Sequence, residues 1–200
     1  DLEVEASWVN LSDRVQRLSV GVQSFHDRLL RQMDRYGKYG SGADVFERVA
    51  GVADRFQSFN VDMIFNFPSQ TEDILVSDIE RVKATNANQT TFYPLMASPL
   101  RRKELAQTVG AIDFGREAHY YRLINAELAP EFGPASAWTY SRDPQSMVDE
   151  YIVDFPEYVG IGSGALSFLD GTIYGNTFSL SEYHKRISEG RMGIVKKGRR

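Results

Sequence analysis

Two hundred residues and 22.6 kDa fit one domain, since domains commonly run from about 50 to 250 residues. Hydrophobic residues at 42% and charged residues at 25% argue against disorder, and no apolar run is long enough for a membrane-spanning helix. A balance of 23 basic against 27 acidic residues leaves −4, with no general pull toward nucleic acid, and zero cysteines exclude disulfides, thiolate metal sites and cysteine nucleophiles within these residues.

The opening Asp-Leu-Glu-Val-Glu lacks the basic flank and apolar core of a secretory signal, so a soluble, cytoplasmic chain is expected. Residues 2–6 alternate apolar and acidic and predict a strand. Ser12 and Asp13 are helix-start residues, with Val15 and Leu18 as a brief apolar face. Residues 17–22 predict a second strand, and 25–36 a helix with Leu29, Leu30 and Met33 at helical spacing, broken by the glycine-rich stretch 37–42. A further helix is expected over 44–56, with Val45, Val49 and Val52 on one face. Residues 59–65 form the strongest strand, closed by Asn66-Phe67-Pro68. Thr71 caps a helix to Ala84, with Glu72 and Asp73 complementing its dipole. Residues 90–95 predict a strand, and 101–127 are charged and mostly helical.

From Gly133 the pattern changes. Residues 137–140 and 147–153 read as strands, 158–169 are glycine-rich, and 180–188 form a last helix before a basic, solvated end at 196–200. Repeated strand–helix alternation predicts parallel βα units over 1–130, with later strands over 131–200, in a single α/β domain spanning 1–200.

In such sheets ligands bind at the carboxyl ends of the strands. Glu5, Gln23, Asp62 with Asn66, and Tyr93 with Pro94 stand at those ends. Singly, each has a plain structural explanation: Glu5 is solvated, and Gln23 caps a turn. Four in register make the strand ends the candidate site, although spacing alone names no reaction. Gly160-Ile161-Gly162-Ser163-Gly164-Ala165 looks like a dinucleotide fingerprint, but no amphipathic helix with a later acidic residue follows it. Close backbone approach to a ligand is the better functional reading, and a tight turn is the alternative. His26, His119 and His184 show no metal-ligand spacing, so no metal residue is assigned. Ser163 lacks the nucleophile-elbow context, and no catalytic residue is named. Trp8 and Trp138 read as core.

Four stretches together resemble a known family: LEVEA from Leu2, RLSVGVQSFHDRLLRQMDR from Arg17, VDMIFNFPSQT from Val61 and EYVGIGSGALSFLDG from Glu157. They are similar to radical S-adenosylmethionine enzymes of the oxygen-independent coproporphyrinogen III oxidase family, and NTFSLSEYHKRI from Asn176 looks like a later segment of it. The resemblance implies a partial (β/α) barrel of the radical S-adenosylmethionine type, with the first βα units missing. It implies that Glu5, Gln23, Arg35 and Asp62 contact S-adenosylmethionine, Arg35 through the methionyl carboxylate, and that Gly162 and Gly164 lie against cofactor or substrate. The family's [4Fe–4S] cluster sits on three cysteines, which this chain lacks. Those ligands are therefore expected upstream, and the chain alone is expected to be inactive.

A tetrapyrrole or heme is the implied substrate, with an electron donor for the cluster and neither nucleic acid nor a membrane span. An enzyme resembling the oxidase is the first reading. The alternatives are an anaerobic heme-degrading methyltransferase and a heme chaperone. Phe65-Asn66-Phe67-Pro68 departs from the family's tyrosine-glycine-leucine-proline, and with TFYPLM from Thr91 looks closer to the heme-utilisation branch. Asparagine tolerates a positive φ, so the turn is expected to survive.

Overall fold

The computed structural model describes residues 13–96, 110–143 and 157–199. Glu5, Trp8 and the strands expected at 2–6 and 147–153 lie outside the described residues. The chain divides into two compact units, Asp1–Val148 and Asp149–Arg200.

The first unit is a five-stranded sheet: β1 (Arg17–Gln23), β2 (Ser58–Phe65), β3 (Gln89–Pro94), β4 (Gly133–Pro134) and β5 (Thr139–Ser141), in the order β1-β2-β3-β5-β4. β1, β2 and β3 run parallel, as the strand–helix alternation predicts, while β5 is antiparallel to β3 and to β4. Parallel neighbours need a crossover rather than a tight turn. The first contains α1 (Asp27–Gln32), α2 (Tyr36–Tyr39) and α3 (Gly42–Ala53), and the second is α4 (Glu72–Ala84). After β3 comes α5 (Phe114–Leu128).

Alternation along the strands divides the sheet into two chemically different faces. Phe59, Val61, Met63 and Phe65 of β2 are at most 1% exposed and join Phe92 of β3 in the core. Val49 and Ala53 of α3, Leu75, Ile79 and Val82 of α4, and Ile124 and Leu128 of α5 complete it. Each such burial contributes about 1.5–3 kcal/mol. Val45 and Val52 pack against the same cluster, as their spacing predicts.

Thr71 caps α4 as expected, its hydroxyl accepting the Ile74 amide at 3.4 Å. The helix expected over 25–36 is instead two. α1 ends in a Schellman-type closure: the Arg35 amide donates to Leu30 O at 2.8 Å, the Asp34 amide donates to Arg31 O at 3.1 Å, and Asp34 takes φ 55°. The helix start suggested by Ser12 and Asp13 is not observed among the described residues. Asp13 and Arg14 form a turn, and Leu18 belongs to β1.

The second unit is an antiparallel meander of β6 (Leu166–Leu169), β7 (Thr172–Asn176) and β8 (Ile194–Arg199), with α6 (Leu180–Ser188) between β7 and β8. Asp170 and Gly171, both at positive φ (47° and 65°), make the two-residue turn joining β6 to β7. α6 has the limits the sequence predicts. Lys196 and Lys197 are exposed, as expected, and belong to the sheet: Lys196 pairs with Gly175 and Lys197 with Tyr174, and the Lys197 ammonium lies 5.4 Å from the Tyr174 ring centroid. Among the described residues no helix is long and apolar enough to cross a membrane.

Candidate functional site

The face of the first sheet opposite the core is polar in two successive rows. Ser19 registers with Asn60, Asn60 with Gln89, and Gln89 with Ser141. One step along, Gly21 registers with Asp62, Asp62 with Thr91, and Thr91 with Thr139. The side chains are bonded to one another. Asp62 accepts from Ser19 Oγ and from Asn60 Nδ2, each at 2.8 Å. Thr91 Oγ1 donates to Asn60 Oδ1 at 3.1 Å and lies 3.2 Å from the Thr139 hydroxyl. Parallel strands are ordinarily apolar on both faces, so this face is built for polar company. The sequence reading found Asp62 but missed Ser19, Asn60, Thr91 and Thr139. The signal was the polar alternate positions in RLSVGVQ, SFNVDMIF and QTTFYP.

At the carboxyl end of β1 the register with β2 shifts between Gly21 and Gln23, and Gln23 takes φ 75°. The bulge turns the Gln23 amide back over Gly21, where a Cβ would come within 2.6 Å of Gln23 Nε2. The Arg35 guanidinium donates to the Gly21 carbonyl from the other side of the crossover. Gln23 and Arg35 thus meet at Gly21, the register partner of Asp62. Both line a groove of about 1070 Å³. Because both faces of β1 contribute to that groove, it runs along the strand's edge, where β2 is the one neighbour among the described residues. Asp62 does not line it and is linked to it through Ser19. Arg35 also lies 4.8 Å from the ring centroid of Tyr39, which lines the groove with Arg48.

The loop after β2 is held from α5. Asn66 takes φ 64°, so the turn that is glycine in the resembled family survives with asparagine. Its side chain is also used: Nδ2 donates to Asp113 O at 2.9 Å, and Oδ1 accepts Arg116 Nε at 3.0 Å. Arg116 Nη2 donates to Phe67 O at 2.9 Å, and Nη1 reaches Gln70 O at 3.2 Å. Trp138, expected in the core, is 37% exposed and sits edge-on to Tyr93 at 5.8 Å.

Behind the β1 turn stands Asp78 of α4, 2% exposed. Ser24 Oγ donates to its Oδ2 at 2.7 Å and the Phe25 amide to its Oδ1 at 2.8 Å. Burial pushes the carboxyl up to about 6, against the two hydrogen bonds and the attraction of Arg81. The native state therefore holds a proton that the unfolded chain releases near 3.8. Asp78's contribution to stability is fully present below about pH 4 and is lost as pH rises through about 6. A gap of about two pH units corresponds to a loss on the order of 3 kcal/mol. Urea unfolding of wild type and Asp78→Asn at about pH 4.5 and 7 should show the substitution relatively more stable at the higher pH. An equal difference at both values dismisses the assignment.

In the second unit, Gly162 and Gly164 take φ 111° and 75°. The Gly162 amide donates to the Tyr183 hydroxyl at 3.1 Å, its carbonyl accepts Asn176 Nδ2 at 2.9 Å, and the Gly164 amide donates to Thr177 O at 2.9 Å. A Cβ on Gly162 meets nothing within 4 Å, whereas one on Gly164 would come 2.9 Å from the Phe178 ring. The turn conformation thus accounts for both glycines. Gly162→Ala should cost about 1–2 kcal/mol through φ alone, read as a lowered Tm; an unchanged Tm would show that the turn does not demand glycine.

Gln23, Arg35 and Asp62 therefore fall in the first unit and Gly162 and Gly164 in the second, while Glu5 lies outside the described residues. Of the histidines, His26 precedes α1, His184 is exposed, and His119 lies 2.9 Å from the Glu72 carboxylate.

Among solved structures, the coproporphyrinogen III oxidase HemN of Escherichia coli, described as a radical S-adenosylmethionine enzyme, matches with a TM-score of 0.73 at 17% identity. The match covers 96% of this chain and 49% of that one. The fold is therefore the α/β architecture that makes up about half of that enzyme. In sequence, the heme chaperone HemW of Lactococcus lactis is 25% identical over 213 residues, covering 94% of this chain and 52% of that protein. The anaerobic coproporphyrinogen III oxidase 1 of Cereibacter sphaeroides is 25% identical over 203 residues, covering 89% and 42%. No family model matches. The resemblance carried by the sequence motifs and the likeness of fold agree on this group, and the chain spans about half the length of the curated relatives it matches.

The family that the sequence motifs resemble implies two cofactors, and the residues present suit one of them. S-adenosylmethionine offers a carboxylate to a guanidinium fork, which Arg35 supplies. It also offers polar groups to an amide, which Gln23 supplies in a groove of ligand size, while Asp62 stands outside that groove and reaches it through Ser19. A [4Fe–4S] cluster requires thiolates, and this chain has no cysteine. Its residues do not fit the cluster, and no radical step is assigned to them.

Proposed function

We propose that this chain forms the S-adenosylmethionine-binding part of a cytoplasmic radical S-adenosylmethionine protein that processes a tetrapyrrole. The observation that carries this reading is the meeting of the Gln23 amide and the Arg35 guanidinium at Gly21, across from Asp62. Arg35 binds the methionyl carboxylate, Gln23 supplies a donor and an acceptor at the strand end, and Asp62 fixes a polar group of the ligand through the row it shares with Ser19 and Asn60. Glu5 is a further proposed cofactor contact. The cluster's thiolates, fed by an electron donor, come from residues other than these.

The enzyme reading follows the oxidase relatives. A heme chaperone is the second reading, favoured by the match to HemW over 94% of the chain. Calorimetric titration of this chain with S-adenosylmethionine tests the site, and absence of binding overturns it. In the whole cluster-loaded protein, release of 5′-deoxyadenosine that depends on coproporphyrinogen III supports the oxidase, and release that depends on heme supports the heme-degrading branch. Stoichiometric heme binding without substrate-dependent release supports the chaperone.

A further inference from the structure

Gln23 stands in a left-handed turn with no glycine to relieve it (φ 75°), a conformation that persists only where surrounding structure imposes it. The three residues after it show what imposes it. Ser24 Oγ donates to Asp78 Oδ2 at 2.7 Å, the Phe25 amide donates to Asp78 Oδ1 at 2.8 Å, and the His26 amide donates back to Ser24 Oγ at 3.0 Å. Ser24, Phe25 and Asp78 are each at most 3% exposed. Asp78 comes from α4, more than fifty residues later in the chain and on the far side of β2 in the connectivity. A buried carboxylate on the apolar side of a helix is costly unless its bonds are needed, and here both oxygens serve the same short turn.

We infer that Asp78 is a positioning residue: it holds the Gln23–Phe25 turn in its left-handed form, and so presents the Gln23 amide beside the Arg35 guanidinium for S-adenosylmethionine. The inference rests on the ligand reading above for its consequence, but not for the clamp itself. Ser24 is part of the same device. Its hydroxyl relays the carboxylate's hold to the His26 amide, which opens α1 and leads the chain toward Arg35. The role is not confined to bulk stability, because the two bonds end on the segment that carries a ligand-contacting side chain. Asparagine at 78 keeps an oxygen for the Phe25 amide and an amide for the Ser24 hydroxyl, whereas alanine keeps neither.

The test compares this chain with Asp78→Ala, Asp78→Asn and Ser24→Ala. It reads amide hydrogen exchange at residues 23–26, Tm, and calorimetric affinity for S-adenosylmethionine. Asp78→Ala should expose the Phe25 amide to exchange and weaken binding at least tenfold, Ser24→Ala should weaken it about threefold, and Asp78→Asn should recover both protection and affinity. Wild-type protection and affinity in Asp78→Ala overturn the inference. So does an Asp78→Asn protein as loosened as Asp78→Ala, since the hold would then not be these hydrogen bonds. Should Asp78→Ala fail to fold, Ser24→Ala decides: unchanged exchange at Phe25 and unchanged affinity overturn the inference. If wild type itself does not bind S-adenosylmethionine, the ligand reading falls, and exchange at Phe25 alone decides whether Asp78 holds the turn.

Discussion

Replacing Arg116 by methionine is expected to destabilise the first unit by on the order of 2–4 kcal/mol while leaving hydrophobic volume nearly unchanged. The guanidinium reaches Asn66 Oδ1, Phe67 O, Pro68 O and Gln70 O, at 2.9–3.4 Å. Asn66, Phe67 and Gln70 are at most 4% exposed, so water cannot replace the lost donors without opening the loop. Phe67 O keeps the Gln70 amide and Gln70 O keeps the Tyr120 hydroxyl, but Asn66 Oδ1 loses its donor at a cost of about 1–3 kcal/mol, and the contact with the Tyr120 ring, 5.0 Å from the guanidinium carbon, is lost as well. Arg116→Lys keeps the charge but not the planar fork, and should recover a minor part of the loss. Denaturant midpoints measure both, and a loss under about 1 kcal/mol for Arg116→Met would show that the loop does not depend on this residue. The stakes are functional, because residues 66–70 close the carboxyl end of β2, directly after the strand that carries Asp62.

How much of this was legible beforehand differs from element to element, for physical reasons. β2 and α4 were plain, because Phe59, Val61, Met63 and Phe65 alternate without interruption and Thr71 is a strong cap. The end of α1 was not, because its Schellman closure uses Asp34 where glycine usually signals the stop. Gln23 could be picked out as a polar residue at a strand end, Asp62 as one expected there although β2 runs on for three more residues to Phe65, and Arg35 only through the family resemblance. The rows joining Ser19 to Asn60 and Asp62 to Thr91 exist only once three strands are in register, and no single strand announces its partner. Asp78 was hidden for another reason. One carboxylate in a helix of mixed charge reads as solvated, and its burial depends on the loop folding back onto it.

Arg35→Ala should weaken S-adenosylmethionine binding by about 1.5–3 kcal/mol, the range for a hydrogen bond to a charged partner, which is about a 10- to 150-fold rise in Kd. Arg35→Gln should be nearly as harmful, since it removes both the charge and the fork that matches a carboxylate. The residue also has structural contacts, to the Gly21 carbonyl and over the Tyr39 ring, so a loss of affinity could follow from a loosened strand end instead. A ligand without the methionyl group separates the two causes. 5′-Methylthioadenosine carries the adenine and ribose but no carboxylate, and so has nothing for the guanidinium to pair with. If Arg35 acts on the carboxylate, wild type and Arg35→Ala should bind this ligand with equal affinity while differing at least tenfold for S-adenosylmethionine. If both ligands weaken together, Arg35 serves the shape of the strand end and the carboxylate must be held elsewhere. Arg48 and Arg55 also line the groove, and Arg48, whose guanidinium donates to the carbonyl of the same Tyr39, is then the residue to change next.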